Sequence, residues 1–354
     1  MADNVPVLFD EQLCKRLIMF LPKQLQESVR SELRLAEELF ANDRHFEVQS
    51  TINSILNMCA ESIESNLSLE PVIAKPTNSV NTLATASPSS LSLKLFMSFI
   101  RESKLYQVSV EKVECCRQLL DDIADKTAWR LVGSGGSNDS GTYYRYDEKT
   151  KSHLFKVIGE VPNSIIYLMG VLMEPDLFTE WFPFCFHSTV QGELTRFHKA
   201  SQLAIRVPWP FTNRDIFLEG FGVDDLSLNK RVIIVSRSFR EDGPIPPGFQ
   251  LPKPNEYVRL HVEYGGFVIE ALNPSHCRLS FVINVDPKLP HAPMWGVNWV
   301  SGKVVWGILR EISRAAKQAE NEKSKYAEKR RQRPDVYTYL QERFCEVKKL
   351  HFSF

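Results

Sequence analysis

From residue 10 to residue 67, apolar side chains recur every three or four positions, the period of a helix with one buried face. Leu13, Leu17, Phe20 and Leu21 form one run, and Leu33, Leu35, Ala36, Leu39 and Phe40 form another. Asn42 and Asp43 interrupt the pattern, which Phe46, Ile52, Ile55, Leu56 and Cys59 resume. The spacing predicts a helical hairpin whose turn is like that inside a tetratricopeptide pair. No second copy follows at that period, and a solenoid needs about three. From Glu70 to Leu91 the chain turns to Pro, Ser, Thr, Asn and Ala, too poor in large apolar groups to order itself, and reads as a linker. Helical spacing returns at 92–103 and 109–124, where Val110, Val113, Cys116, Leu119, Leu120 and Ile123 share a face.

After Trp129 the period drops to two. Residues 141–148 and 153–161 alternate and predict a hairpin. The glycine-rich stretch 133–141 leads from strand to strand, whereas a phosphate cradle must open a helix, so a nucleotide site is excluded. Asn163-Ser164 predicts the cap of a helix over 165–173, which Glu174-Pro175-Asp176 restarts. Strand patterns follow at 202–209, 215–223, 231–239, 256–272 and 278–286. Their connections are mostly tight, which predicts an antiparallel sheet. Beyond Pro287–Pro290 lies the longest amphipathic pattern: Val297, Val300, Val304, Ile308 and Ile312, broadened by Trp299, Trp306 and Leu309. A sheet with one apolar face needs a cover, and this helix supplies one. The predicted fold is α+β, a curved antiparallel sheet closed by a long C-terminal amphipathic helix and preceded by a helical N-terminal region.

Composition narrows the function. The 354 residues carry 43 basic and 43 acidic side chains, a formal net charge of zero, which argues against a protein that grips nucleic acid. The charge is polarised: residues 1–70 hold 12 acidic and 6 basic groups, residues 303–350 hold 7 and 13. No apolar run is long enough to span a bilayer, the N-terminus lacks a signal pattern, and seven scattered cysteines without Cys-x-x-Cys spacing point to reduced thiols. The expectation is a cytoplasmic chain with no metal and no cofactor. His187, Ser188 and His198 have no recognisable third partner, and no Gly-x-Ser-x-Gly elbow occurs. His261 and Glu263 would work as an acid–base pair only on an inward face. No enzyme activity is expected.

The order of elements resembles the helix-grip fold of the START (steroidogenic acute regulatory-related lipid transfer) family over roughly Ser109 to Gln318. The landmarks are Trp129, Phe155-Lys156-Val157, Leu177 to Pro183, Pro208-Trp209-Pro210, Arg214-Asp215-Ile216-Phe217 and Trp299 to Lys317. The resemblance implies a tunnel between sheet and closing helix that binds and transfers a sterol, phospholipid or sphingolipid. It departs from members with a buried carboxylate–arginine pair: the corresponding positions are Ser201 and Gly220, so that head-group chemistry is not carried over. The candidate lipid-contacting residues are Arg214, Leu260, Val262, Asn284, Trp299, Val304 and Ile308. For Arg214 the alternative is a bond that fixes the preceding turn; for Asn284 it is a loop backbone. The domain reading is 1–69 helical, 70–91 linker, 92–320 lipid-binding with a core of 109–318, and 321–354 a basic extension. In that extension Lys329, Arg330, Arg331 and Arg333 either touch an anionic membrane or lie solvated at a helix end. The competing function is a regulatory or interaction protein whose helical N-terminus does the work and whose pocket is vestigial.

Overall fold

The computed structural model describes residues 8–68, 88–134, 140–239, 249, 256–286, 288, 296, 300 and 305–351. Two units divide within one helix, Met1–Glu114 and Cys115–Phe354. In the first, α1 (Glu11–Met19) is capped by the Asp10 carboxylate, which accepts from the Leu13 amide at 2.9 Å. Helices α2 (Lys23–Ala41), α3 (His45–Ser68) and α4 (Pro88–Glu102) follow, and α5 (Lys104–Ala124) carries the division. Ile18, Val29, Leu33, Ile52, Ile55, Leu93, Phe96 and Leu105 are among the residues that bury one common core. Helix α4 starts at Pro88, inside the stretch read as linker, and its Leu93, Phe96 and Ile100 belong to that core. Residues 69–87 lie outside the described residues.

Between α2 and α3 the chain reverses at Asp43, whose φ is 53°. The Asp43 carboxylate is buried, 3.2 Å from Lys112 Nζ and 3.5 Å from His45 Nε2. Burial would raise this carboxyl, but the hydrogen bond from His45 and the charge of Lys112 outweigh it and hold it below the ordinary range. The other ring nitrogen of His45 meets the Ser109 hydroxyl at 3.1 Å. An aspartate, a histidine and a serine in sequence invite comparison with a catalytic triad. Here all three are buried at 5% exposure or less, so the set ties a turn to a helix and admits no substrate.

The second unit is built on one sheet. Its strands are β1 (Arg130–Ser134), β2 (Gly141–Asp147), β3 (Ser152–Val161), β4 (Cys185–Thr195), β5 (His198–Ile205), β6 (Arg214–Asp225), β7 (Arg231–Ser238), β8 (Val258–Arg259), β9 (His261–Asn273) and β10 (His276–Asp286). The spatial order is β1-β2-β3-β10-β9-β7-β6-β5-β4, antiparallel throughout, with β8 added parallel to β6. Helix α6 (Ile165–Leu172) and a 3-10 turn (Pro175–Glu180) separate β3 from β4. The one-turn α7 (Leu226–Asn229) sits in the connection between β6 and β7. Helix α8 (Trp306–Ala319) matches the second half of the predicted closing helix, and α9 (Lys325–Gln332) and α10 (Pro334–His351) complete the chain. Asn163 does not cap α6. Its side chain reaches α8 instead, where Ser313 Oγ donates to Asn163 Oδ1 at 2.7 Å and Asn163 Nδ2 donates to the Ser313 carbonyl at 3.3 Å.

Gly266 decides how closely β7 and β9 approach. Its φ is 154°, and a Cβ added there would stand 1.9 Å from the Ile234 carbonyl oxygen. That oxygen is backbone and has nowhere to swing. Gly266→Ala is therefore expected to cost about 2–4 kcal/mol, read as a lower urea midpoint with an unchanged slope. An unmoved midpoint would mean that the two strands separate at no cost.

Candidate functional site

Strand register sorts the sheet into two faces. Phe155 pairs with Ile283, Val157 with Phe281, Phe281 with Phe267, and Phe267 with Ile234. These residues pack with Leu168 and Met169 of α6 and with Ile308 and Ile312 of α8, so they define the inner face. The alternate residues Lys156, Val282 and Val268 point outward. On that side Lys156 Nζ donates to the carbonyls of Asp122 and Asp125, at 2.8 and 2.7 Å, at the C-terminal end of α5. Its ammonium lies 4.4 Å from the Trp129 ring, and burial pushes its pKa down to about 8.

Along the inner face the packing changes character. Toward α6, α9 and α10 several side chains are closed off: Leu168, Ile269, Leu279, Ile312, Val336 and Tyr337 are all at most 3% exposed. Elsewhere large apolar groups on the same cluster stay only partly covered, namely Tyr144, Phe178, Phe182, Ile283, Val285 and Val300. Inner-face residues Leu218 and Gly220 of β6 and Ser236 of β7 are half-buried too. The Trp181 ring stands edge-on to Phe178, Phe182 and Phe267, with centroids 5.0, 5.4 and 6.5 Å away. Its indole Nε1 is buried and has no hydrogen-bond partner among the described residues. An apolar floor, aromatic walls and a few polar atoms are what a pocket for an apolar molecule requires.

The residues singled out from sequence separate on this geometry. Ile308 is 1% exposed in the inner cluster. Val262 is buried and pairs with Val285; its amide donates to the Ser238 hydroxyl at 2.9 Å. Leu260 is half-buried and its amide donates to the Asp215 carbonyl at 2.9 Å. Asn284 needs correction as an inner polar contact. It pairs with Tyr264 and Leu154 between the inward Ile283 and Val285, so it faces outward, among the network of Tyr264 and Asp122. Trp299 and Val304 lie outside the described residues. Arg214 is buried at the start of β6 and its Nη1 donates to the Thr212 carbonyl, the turn-fixing bond that was one of its two readings.

Other candidate chemistry dissolves. His261 Nε2 and Glu263 Oε1 stand 3.4 Å apart, but both side chains are open to solvent, 30% and 47% exposed. His198 Nε2 bonds Glu219 at 2.8 Å on the outer face. Among the described residues no three His, Cys, Asp or Glu side chains cluster to hold a metal. Burial pushes the Cys277 thiol up to about 12, so it is no nucleophile.

The basic extension is corrected most. Lys329 pairs with Asp176 at 2.5 Å, Arg330 Nη1 donates to the Ala319 carbonyl at 2.6 Å, and Arg333 Nη1 meets Glu174 at 3.3 Å. Of the four read as touching a membrane or lying solvated at a helix end, only Arg331 is broadly exposed, at 59%, and it too faces Glu322. The segment is not a tail: Tyr326, Val336, Tyr337, Leu340 and Phe344 enter the same core as α6. Glu174, 1% exposed, also accepts from Lys199 Nζ at 3.2 Å and Tyr337 OH at 3.0 Å. Burial and that carboxylate hold the Tyr337 phenol well above its ordinary pKa.

Comparison with known proteins places the fold. No family model and no curated protein matches the chain. Among solved structures, human StAR-related lipid transfer protein 5 superposes with a TM-score of 0.50 at 14% identity, covering 61% of this chain and 99% of that one. Human STARD10 gives 0.49 at 19% identity, covering 64% and 85%. The chain has the START helix-grip fold, with an antiparallel sheet that stays open and helices at both ends.

Proposed function

We propose that the second unit is a carrier that encloses a lipid between the inner face of its sheet and α8 and passes it between membranes. The observation that carries this reading is the row of partly covered apolar side chains on the inner face, from Phe178 and Phe182 to Ile283, Val285 and Val300. Groups of that size stay uncovered inside a domain where a ligand completes the packing. The mechanism is physical: burial of the ligand's apolar body supplies affinity at about 25 cal/mol per Å², and Trp181 Nε1 offers it a hydrogen bond. The domain runs to the end of α10, since its last helices share its core. Sterols, phospholipids and sphingolipids are the candidate classes, the cytoplasm is the proposed compartment, and no reaction is proposed. No helix among the described residues is long and apolar enough to cross a membrane.

Native mass spectrometry of the full chain, purified from lipid-rich cells and then mixed with liposomes, tests the reading. One lipid per chain is expected. Leu260→Trp, between β8 and β9, and Ile308→Trp, on α8, are expected to lower loading by roughly tenfold or more. A chain that never carries lipid and moves none between liposomes is not a carrier.

A further inference from the structure

Arg214 is a feature of the inner face that packing does not account for. Register places it there without ambiguity. Strand β6 pairs with β5 from Arg214 to Phe221 and with β7 from Leu218 to Asp225 with no bulge, so Arg214, Ile216, Leu218, Gly220 and Gly222 share a side. Gly222 identifies that side as inward, because a Cβ there would meet Phe197 and Met173 at 3.6 and 3.7 Å. The register partners of Arg214 are Ile205 and Val258, both apolar and half-buried.

Arg214 as a residue is only 5% exposed, yet no carboxylate among the described residues pairs with its guanidinium. Its bond to the Thr212 carbonyl uses one of five N–H groups. The adjacent Asp215 cannot help. It points to the outer face, where Arg259 Nη2 holds it at 2.5 Å and Gln202 at 3.3 Å. Desolvation lowers the Arg214 pKa, and no opposing charge among the described residues offsets it. Among the described residues other buried cations have counter-charges or several acceptors: Arg343 has Asp224, Lys199 has Glu174, and Lys156 has the carbonyls of Asp122 and Asp125. Buried charges are ordinarily paired, because an unpaired one loses its hydration and gains nothing.

We propose that Arg214 receives the anionic end of the ligand, so that the carried lipid is one whose polar group has a net negative charge, a phosphate or a carboxylate. This deepens the carrier reading and rests on it. A carboxylate–arginine pair would suit a neutral or zwitterionic head group; a lone guanidinium suits an anion and gives it two parallel N–H donors. Half-buried Ser236 lies opposite Gly220 on the same inner face and adds a hydroxyl there.

The test mixes the full chain with vesicles of phosphatidylcholine alone, phosphatidylcholine with phosphatidic acid, and phosphatidylcholine with oleate. Native mass spectrometry then reads the lipid retained. The wild-type chain is expected to retain phosphatidic acid or oleate roughly tenfold over phosphatidylcholine, and the winning arm separates phosphate from carboxylate. Arg214→Met is expected to erase that preference while still retaining neutral lipid, with Arg214→Lys between the two. Retention of phosphatidylcholine alone by the wild type overturns the inference without needing any variant to fold, as does an anion preference unchanged in Arg214→Met. Retention of no lipid in any arm overturns the carrier reading itself, and the inference with it.

Discussion

Replacing Glu174 by alanine is expected to destabilise the second unit by about 3–5 kcal/mol, the usual cost of removing one partner from a buried ionic group. At roughly 2–4 °C per kcal/mol for a domain of this size, the melting temperature should fall by about 10 °C. The reason lies in what Glu174 neutralises. Lys199 and Arg333, with side chains only 5% and 16% exposed, both point at it, and Tyr337 adds its phenol. Glu193 stands 3.5 Å from each cation but is 44% exposed, so solvent screens what it can recover. A triple variant, Glu174→Leu with Lys199→Met and Arg333→Met, removes both cations along with the carboxylate. It should regain most of the lost stability, because replacing all members of a buried ionic set is far milder than orphaning one. Calorimetry of the single and triple variants checks both statements. A single variant that melts within a degree or two of the parent would show that the cations rehydrate on their own.

Deleting residues 321–354 is expected to have a larger effect still, abolishing cooperative unfolding of the second unit. Read as a basic extension, this segment would be dispensable. In the fold its Tyr326, Val336, Tyr337, Leu340 and Phe344 are buried at 7% exposure or less against the core that α6 and the sheet provide. Burying such a side chain is worth about 1.5–3 kcal/mol, so five of them outweigh the 5–15 kcal/mol that keeps a domain folded at the lower end of that range. The deletion also removes Arg343, whose Nε donates to buried Asp224 at 2.7 Å, and so leaves that carboxylate without its counter-ion. Loss of near-ultraviolet circular dichroism with retained far-ultraviolet signal is the expected readout. A truncated chain that still melts sharply would return the segment to the status of a tail.

Much of the site's frame was legible because periodicity reports burial. Where one face of an element is wet and the other dry, the apolar positions repeat, and β2, β3, β6, β7, β10 and α8 announced themselves in this way. Strand β4 did not. It is an edge strand, every residue half-buried or exposed, so no clean alternation marks it. Helices α9 and α10 were obscured by a different signal, the run of Lys329, Arg330, Arg331 and Arg333, which reads as solvent-facing. In the fold those charges meet Asp176, Glu322 and Glu174, which lie 8 to 159 positions away. The spacing of Val336, Tyr337, Leu340 and Phe344 was the available clue. Asn284 failed for a subtler reason: a polar residue in an apolar strand has two faces to choose from, and only the register with Ile283 and Val285 chooses.

What the chain's sequence determined by itself was the kind of object: helices first, then an antiparallel sheet, then a helix to cover it, because each follows from local periodicity and short connections. What only the tertiary structure decided was which charges are satisfied. Arg214 and Lys199 are indistinguishable as residues on strands. Lys199 finds Glu174 across the fold and Arg214 finds no carboxylate among the described residues, and that difference depends on distances between elements that no local pattern encodes.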